Sequence, residues 1–211
     1  MSRTIVIATK NKGKVNEFAQ AFAELNIEVK SLLDFPAIGD IVEDGDTFEE
    51  NAKIKAKQTA DILGVPVLAD DSGLSVAALN GAPGVYSARY AGEHASDEDN
   101  NTKLVDTLMA MDSRVEGFSM NDDSVALSEA MFHCALALYF PDKDEFVMAH
   151  GTVNGVITNK PHGNGGFGYD PYFWLPQLNC GMAELTKSQK NEISHRAEAL
   201  KQLIPLLKAL Y

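Results

Sequence analysis

Two short apolar runs constrain this chain more than any other feature. Thr4-Ile-Val-Ile-Ala8 and Val65-Pro-Val-Leu-Ala69 are continuous rather than alternating, and too short to be helices. Such runs fit strands buried on both faces, an environment that a sheet covered by helices on both sides provides. The flanking sequence supplies those helices. After Ala8 comes a polar, lysine-rich turn from Thr9 to Lys14, and then Phe18, Phe22 and Leu25 recur at helical spacing, predicting a helix over about residues 15–25. Ahead of Val65, Thr47-Phe-Glu-Glu50 has the spacing of a capping box. It predicts a helix running to about Leu63, closed by Gly64 and Pro66.

Further along, Ser96 is placed to cap a helix that reaches about Met111. Residues 112–129 are polar and aperiodic and read as a surface insertion. Met131 to Phe140 and Phe146 to Thr158 read as two strands, antiparallel neighbours joined by residues 141–144. Residues 162–170 form a glycine-rich loop, and Thr186-Lys-Ser-Gln189 is a second capping box opening a C-terminal helical region. Pro205 is expected to kink or break that region. This mixed order of elements predicts an α/β or α+β fold built on a mixed sheet, and 211 residues suffice to bury its core without staples.

The formal charge of −12 disfavours binding to nucleic-acid polymers. It leaves room for a small phosphorylated ligand wherever positive charge is concentrated. The two cysteines, Cys134 and Cys180, have no metal-ligand spacing, and Cys134 reads as a buried small hydrophobe. No signal-peptide core follows Met1, and no apolar stretch approaches the ~20 residues that span a bilayer. A cytosolic protein without a membrane partner is the expectation.

Five segments are candidates for chemistry. Thr9-Lys-Asn-Lys-Gly-Lys14 sits at a strand end and a helix start, where backbone N–H groups and the helix dipole favour an anion; it is otherwise a solvated basic turn. Asp70-Asp-Ser-Gly73 follows a predicted strand. Adjacent carboxylates there suit a hard cation such as Mg²⁺, or else form an Asx-turn. Gly163 to Pro171 is glycine-rich enough for a close backbone approach to a ligand, with Phe167 or Tyr169 able to stack on a flat base. Lys190, His195 and Arg196 lie within two turns, as a phosphate and base-edge reader or an ordinary helix surface. Glu43-Asp-Gly-Asp46 offers one carboxylate to complete a metal site with Asp71, either Glu43 or Asp44.

Taken together, these segments resemble the inosine triphosphate pyrophosphatase family, the non-canonical purine nucleoside triphosphate pyrophosphatases. The resemblance runs in order along nearly the whole chain. It includes Ile7 to Lys14, Glu43 to Ala52, Ala69 to Leu74, Gly81-Ala-Pro-Gly-Val-Tyr-Ser-Ala-Arg-Tyr90, Gly165 to Pro171 and Ser194-His-Arg196. It implies a single two-lobed domain over residues 1–211: an α/β fold with an elongated mixed sheet flanked by helices, a central cleft and a homodimeric state. It also implies that Asp71 is the catalytic acidic residue and contacts Mg²⁺, with Glu43 as a metal ligand. Nucleotide binding then falls to Thr9, Lys10, Asn11, Lys12, Gly13, Lys14, Ser72, Phe167, Gly168, Tyr169, Asp170, Lys190, His195 and Arg196. The stretch 112–129 is longer than the family's common pattern.

The implied reaction takes dITP, ITP or XTP to the monophosphate and pyrophosphate. Water attacks the α-phosphorus, with Asp71 positioning or deprotonating it. Lys14, Lys190 and Mg²⁺ offset the triphosphate charge, and donors such as Arg196 or backbone N–H groups suit the 6-oxo group of the base. A pyrophosphatase for modified pyrimidine nucleotides and a non-catalytic nucleotide sensor are the alternatives.

Overall fold

In the computed structural model, which describes residues 3–23, 25–35, 38–39, 41–118, 120 and 123–210 apart from the side chains of Arg3 and Leu210, the chain forms a mixed α/β fold. Residues 36, 37 and 40, and 119, 121 and 122 of the expected insertion, lie outside that description, as do Met1 and Glu24. Among the described residues, seven strands make one sheet in the order β2-β1-β3-β4-β5-β6-β7. They are β1 (Arg3–Ile7), β2 (Ile27–Ser31), β3 (Val67–Val76), β4 (Ala126–Phe140), β5 (Glu145–Thr158), β6 (Phe173–Leu175) and β7 (Cys180–Gly181). β1 runs parallel to β2, with Ile5 opposite Val29, and to β3, with Ile7 opposite Leu68. The β5–β6 and β6–β7 pairs are antiparallel. The helices are α1 (Lys12–Ala23), α2 (Phe48–Leu63), α3 (Asp97–Ala110), α4 (Lys187–Ile193) and α5 (His195–Leu210), none of them long and apolar enough to cross a membrane.

The chain divides into two compact units. The first comprises the chain up to Asp71, Cys134–Gly151 and everything from Arg196 onward. Here β1 is buried on both faces, as its continuous apolar run requires. Ile5 and Ile7 pack with Phe18 and Phe22 of α1 and Leu203 and Leu207 of α5. Val6 and Ala8 pack with Ala52, Ala56 and Ala60 of α2. The alanine stripe lets α2 sit close on the strand. Its N-cap is the expected box, Thr47 accepting from the Glu50 N–H, and Gly64 closes it in the left-handed conformation.

The second unit comprises Ser72–His133 and Thr152–His195. Its core joins Leu74 and Val76 to Leu104 and Leu108 of α3, and to Phe132, Tyr169 and Phe173. Ser96 caps α3 with Asp99 completing the box.

Several sequence expectations change. The strand containing Val67 does not end at Asp70; β3 continues through both aspartates to Val76, because the carboxylates are matched by cations and not solvated. β2 was not predicted: Ile27-Glu-Val-Lys30 alternates apolar and polar, but over only four residues. Residues 112–129 are not simply a surface insertion. Residues 126–129 open β4, and Val115, Phe118 and Met120 pack on a small cluster of Ala126, Val156 and Trp174. Pro205 lies inside α5 without ending it. Pro205 and Lys201, whose carbonyl loses its i+4 donor, are both exposed. The interruption falls instead at Ser194, whose extended backbone (φ −67°, ψ 160°) separates α4 from α5.

Candidate active site

Consecutive strand residues face opposite ways, so Asp70 and Asp71 meet different neighbours. Asp70 is fully buried. Its Oδ2 lies 3.1 Å from Lys14 Nζ, and it accepts from Arg196 Nη2 at 2.9 Å and from Nε at 3.3 Å. Burial alone would raise its pKa, but Lys14, Arg196 and Lys55 hold it well below the usual carboxylate range. Arg196 is 1% exposed and donates from Nη1 to Glu17 of α1 at 2.6 Å. Its pKa moves upward because Asp70 and Glu17 outweigh the cost of burial. In this structure the Arg196 guanidinium is a buried counter-ion tying α5 to β3 and α1.

Asp71 faces Lys55 of α2, which donates to its Oδ1 at 3.0 Å and pairs with Glu43 Oε2 at 2.9 Å. Burial, together with Glu43 nearby, raises the Asp71 pKa even though Lys55 opposes it. The Lys55 ammonium is itself stabilised: Asp71, Glu43 and Asp70 overcome desolvation and raise its pKa. The Asp71 Oδ2 is buried and has no hydrogen-bond partner among the described residues. Native structures leave few such groups without a reason. It is Glu43, and not the exposed Asp44, whose carboxylate shares Lys55 with Asp71. Its loop is pinned to α2, since Gly45 N–H donates to Asn51 Oδ1 at 2.8 Å and Asp46 N–H to Glu50 Oε2 at 2.9 Å.

Sequence reasoning missed Lys55. The signal was present: on the buried face of α2 a lysine falls in phase with Ala52, Ala56 and Ala60. A lysine on such a stripe needs a buried anion to face.

The basic turn lies beside these carboxylates. A cavity of about 280 Å³ is lined by Thr9, Lys10, Lys14, Glu43, Lys55 and Asp70, among others. The Asn11 side chain caps α1, accepting from Lys14 N–H at 3.1 Å, and Thr9 Oγ1 accepts from Asn11 N–H at 3.2 Å. These contacts shape the turn, and they engage two backbone donors that an anion would otherwise meet. Lys12 is exposed at the start of α1, with Gly13 after it. The first unit thus places three lysines and two carboxylates around one small polar cavity.

In the second unit the glycine-rich loop is tied down internally. Asp170, 2% exposed, accepts from Phe167 N–H at 2.9 Å and from Lys190 Nζ at 2.5 Å. Lys190 Nζ also lies 4.5 Å from the centroid of the half-buried Phe167 ring. A Cβ on Gly166 would collide with Asp170 Oδ2, and one on Gly165 would come within 2.8 Å of the Ala183 carbonyl. These glycines thus permit close approach to the protein's own atoms. Tyr169 turns inward. It is buried in the core and donates to the Ser87 carbonyl at 2.8 Å, and burial pushes its hydroxyl pKa up. Phe167 is left as the ring on this loop that can meet a base. His195 is buried and stacks on Phe132, with centroids 5.0 Å apart, and Ser72 is half-buried in β3. A larger cavity in this unit, about 650 Å³, is lined by Val76, Phe118, Met131 and His133 and contains none of the candidate residues.

Comparison with known proteins shows what this chain is similar to. The Ham1 family model matches residues 5–206. The chain is 51% identical over 200 residues to a dITP/XTP pyrophosphatase of Listeria innocua, covering 94% of this chain and 92% of that protein. It is 51% identical over 201 residues to a dITP/XTP pyrophosphatase of Geobacillus kaustophilus, covering 95% and 92%. Among solved structures, the Staphylococcus aureus Ham1 protein superposes with a TM-score of 0.82 at 42% identity, covering 99% of this chain and 100% of that one. A HAM1 protein from Coxiella burnetii gives 0.84 at 42% identity, covering 98% and 99%.

Proposed function

Because this chain belongs to the Ham1 family, we propose that it hydrolyses the non-canonical purine nucleoside triphosphates dITP, ITP and XTP to monophosphate and pyrophosphate, removing them from the nucleotide pool. The observation that carries this is the buried Asp71, with one oxygen on Lys55, one without a partner, and Glu43 on the same lysine.

The donor set fits a hard divalent cation. Both side chains offer carboxylate oxygens, and no cluster of three or more His, Cys, Asp or Glu side chains occurs among the described residues. Mg²⁺ prefers such sparse sites, one or two carboxylates with water and substrate phosphate completing its shell. Asp71 and Glu43 would hold it. Once bound, it would neutralise phosphate oxygens and ease departure of pyrophosphate.

The chain's own residues do the rest. Lys14 and Lys55 line the cavity and meet the triphosphate charge. Asp71, ionised, orients the attacking water and accepts its proton. No covalent intermediate is needed; Cys134 is buried and Cys180 only partly exposed. Phe167 supplies a face for the base, and neighbouring backbone donors meet the 6-oxo group, since the Arg196 guanidinium is engaged by Asp70 and Glu17. We take the enzyme to be a cytosolic homodimer, which light scattering of the purified protein and cell fractionation test separately.

The deciding experiment is a panel of ITP, dITP, XTP, GTP, ATP and modified pyrimidine triphosphates, with pyrophosphate and orthophosphate measured separately. Equimolar monophosphate and pyrophosphate from ITP, dITP and XTP is expected. Orthophosphate with diphosphate would overturn α-phosphorus attack, and binding without turnover would make the protein a sensor.

A further inference from the structure

Beside Phe167, one helix grips a single residue of the loop at both its polar groups. Gly168, left-handed at φ +61°, donates its N–H to Asp97 Oδ2 at 2.7 Å and accepts at its carbonyl from Asn101 Nδ2 at 2.9 Å. Asp97 and Asn101 stand at i and i+4 in the first turns of α3, on one face of the helix. Both polar groups of the residue following Phe167 are thus fixed by the same rigid element. The left-handed conformation sets the direction of the peptide leaving Phe167, and side chains larger than glycine rarely adopt it.

Asn101 is not what a stability-optimised core would place there. It is 6% exposed, and its Oδ1 has no hydrogen-bond partner among the described residues. Reversing the amide would point Oδ1 at the Gly168 and Asp97 carbonyls, which Nδ2 now serves. The unmatched acceptor is therefore a cost of holding Gly168, and such costs concentrate where geometry matters for function.

We propose that Asp97 and Asn101 are positioning residues: they fix Gly168 and thereby set the Phe167 ring against the purine base, without touching substrate. This rests on the reading of Phe167 as a base contact. Base–aromatic stacking is worth roughly five- to more than a hundredfold in affinity, so loosening the platform should cost about tenfold in KM while leaving kcat within about twofold.

The test measures kcat and KM for ITP, with thermal melts, in Phe167→Ala, Asn101→Leu, their double variant, Asp97→Ala and Asp97→Asn. The expected result is a raised KM in Phe167→Ala, Asn101→Leu and Asp97→Ala, and rescue in Asp97→Asn, which keeps an acceptor. The double variant should be no worse than Phe167→Ala alone. The melt of Asn101→Leu checks folding, because the change removes the unmatched acceptor together with the donor to the Gly168 and Asp97 carbonyls. A normal KM in Phe167→Ala would overturn the base-contact reading and the positioning role with it. A raised KM in Phe167→Ala with a normal KM in Asn101→Leu and Asp97→Ala would overturn the positioning role alone. So would multiplicative effects in the double variant. Should Asn101→Leu fail to fold, the exposed Asp97 pair of variants decides the matter on the same readouts.

Discussion

Asp71 and Asp170, one in each unit, share an outline: each is a buried aspartate with a lysine ammonium on one oxygen. Their surroundings separate them. Asp170 Oδ2 accepts from both Lys190 and the Phe167 N–H, and the pair closes a loop on itself. Lys55, by contrast, divides itself between Asp71 and Glu43, and Asp71 keeps an oxygen without a partner among the described residues. Asp70, the residue next door, makes the contrast sharper: Lys14 and Arg196 converge on its Oδ2 and hold its pKa low, while burial holds that of Asp71 up. The difference teaches that burial beside a lysine does not identify a catalytic carboxylate. What sets Asp71 apart is a lysine divided between it and Glu43, and burial that raises its pKa where cations hold that of Asp70 down.

The comparison can be broken from the structural side first. Arg196→Ala strips a fully buried aspartate of a partner that donates twice to its Oδ2, and such losses cost about 3–5 kcal/mol. Denaturant melts should show that loss, with the ITP/ATP selectivity ratio moving little in whatever protein remains folded. A large drop in selectivity with unchanged stability would return Arg196 to the base. Asp170→Asn keeps the shape but removes the charge facing Lys190, and should lose about 1.5–3 kcal/mol of stability, the usual worth of hydrogen bonds to charged groups. If its melting curve is unchanged, the Asp170–Lys190 pair is not what fastens the loop. Lys14→Met is the mildest. It leaves Asp70 with Arg196 and should raise KM about tenfold, or ~1.4 kcal/mol, equally for ITP and ATP, because every triphosphate presents the same phosphates. Unequal factors would mean that Lys14 senses the base.

The sequence carried the elements well where a local rule governs them. The capping boxes at Thr47 and Thr186 and the cap at Ser96 all form, and both apolar runs are strands. It failed where tertiary contacts decide. The doublet Asp70-Asp71 reads as a strand end because isolated carboxylates demand water. In the fold, cations distant in sequence, from Lys14 to Arg196, replace that water. The motif residues of the second unit were legible as a set but not in their roles. Tyr169 and Asp170 read as ligand contacts until the Ser87 carbonyl and the Phe167 N–H claim them. Lys55, Glu17, Asp97 and Asn101 carry no local signal beyond their phase on a helix, and they become visible only through what they touch.

Catalysis as proposed rests on the spare oxygen of Asp71. The most direct measurement is kcat for ITP in Asp71→Asn at saturating Mg²⁺, with a thermal melt of the same preparation. Asn keeps the shape and the contact to Lys55 but removes the charge that a cation and water require. The expected result is a fall in kcat of ~10²-fold or more with a melting temperature at or above that of wild type. Retention of more than about a tenth of kcat, or loss of activity only in step with loss of fold, would contradict a catalytic role for Asp71.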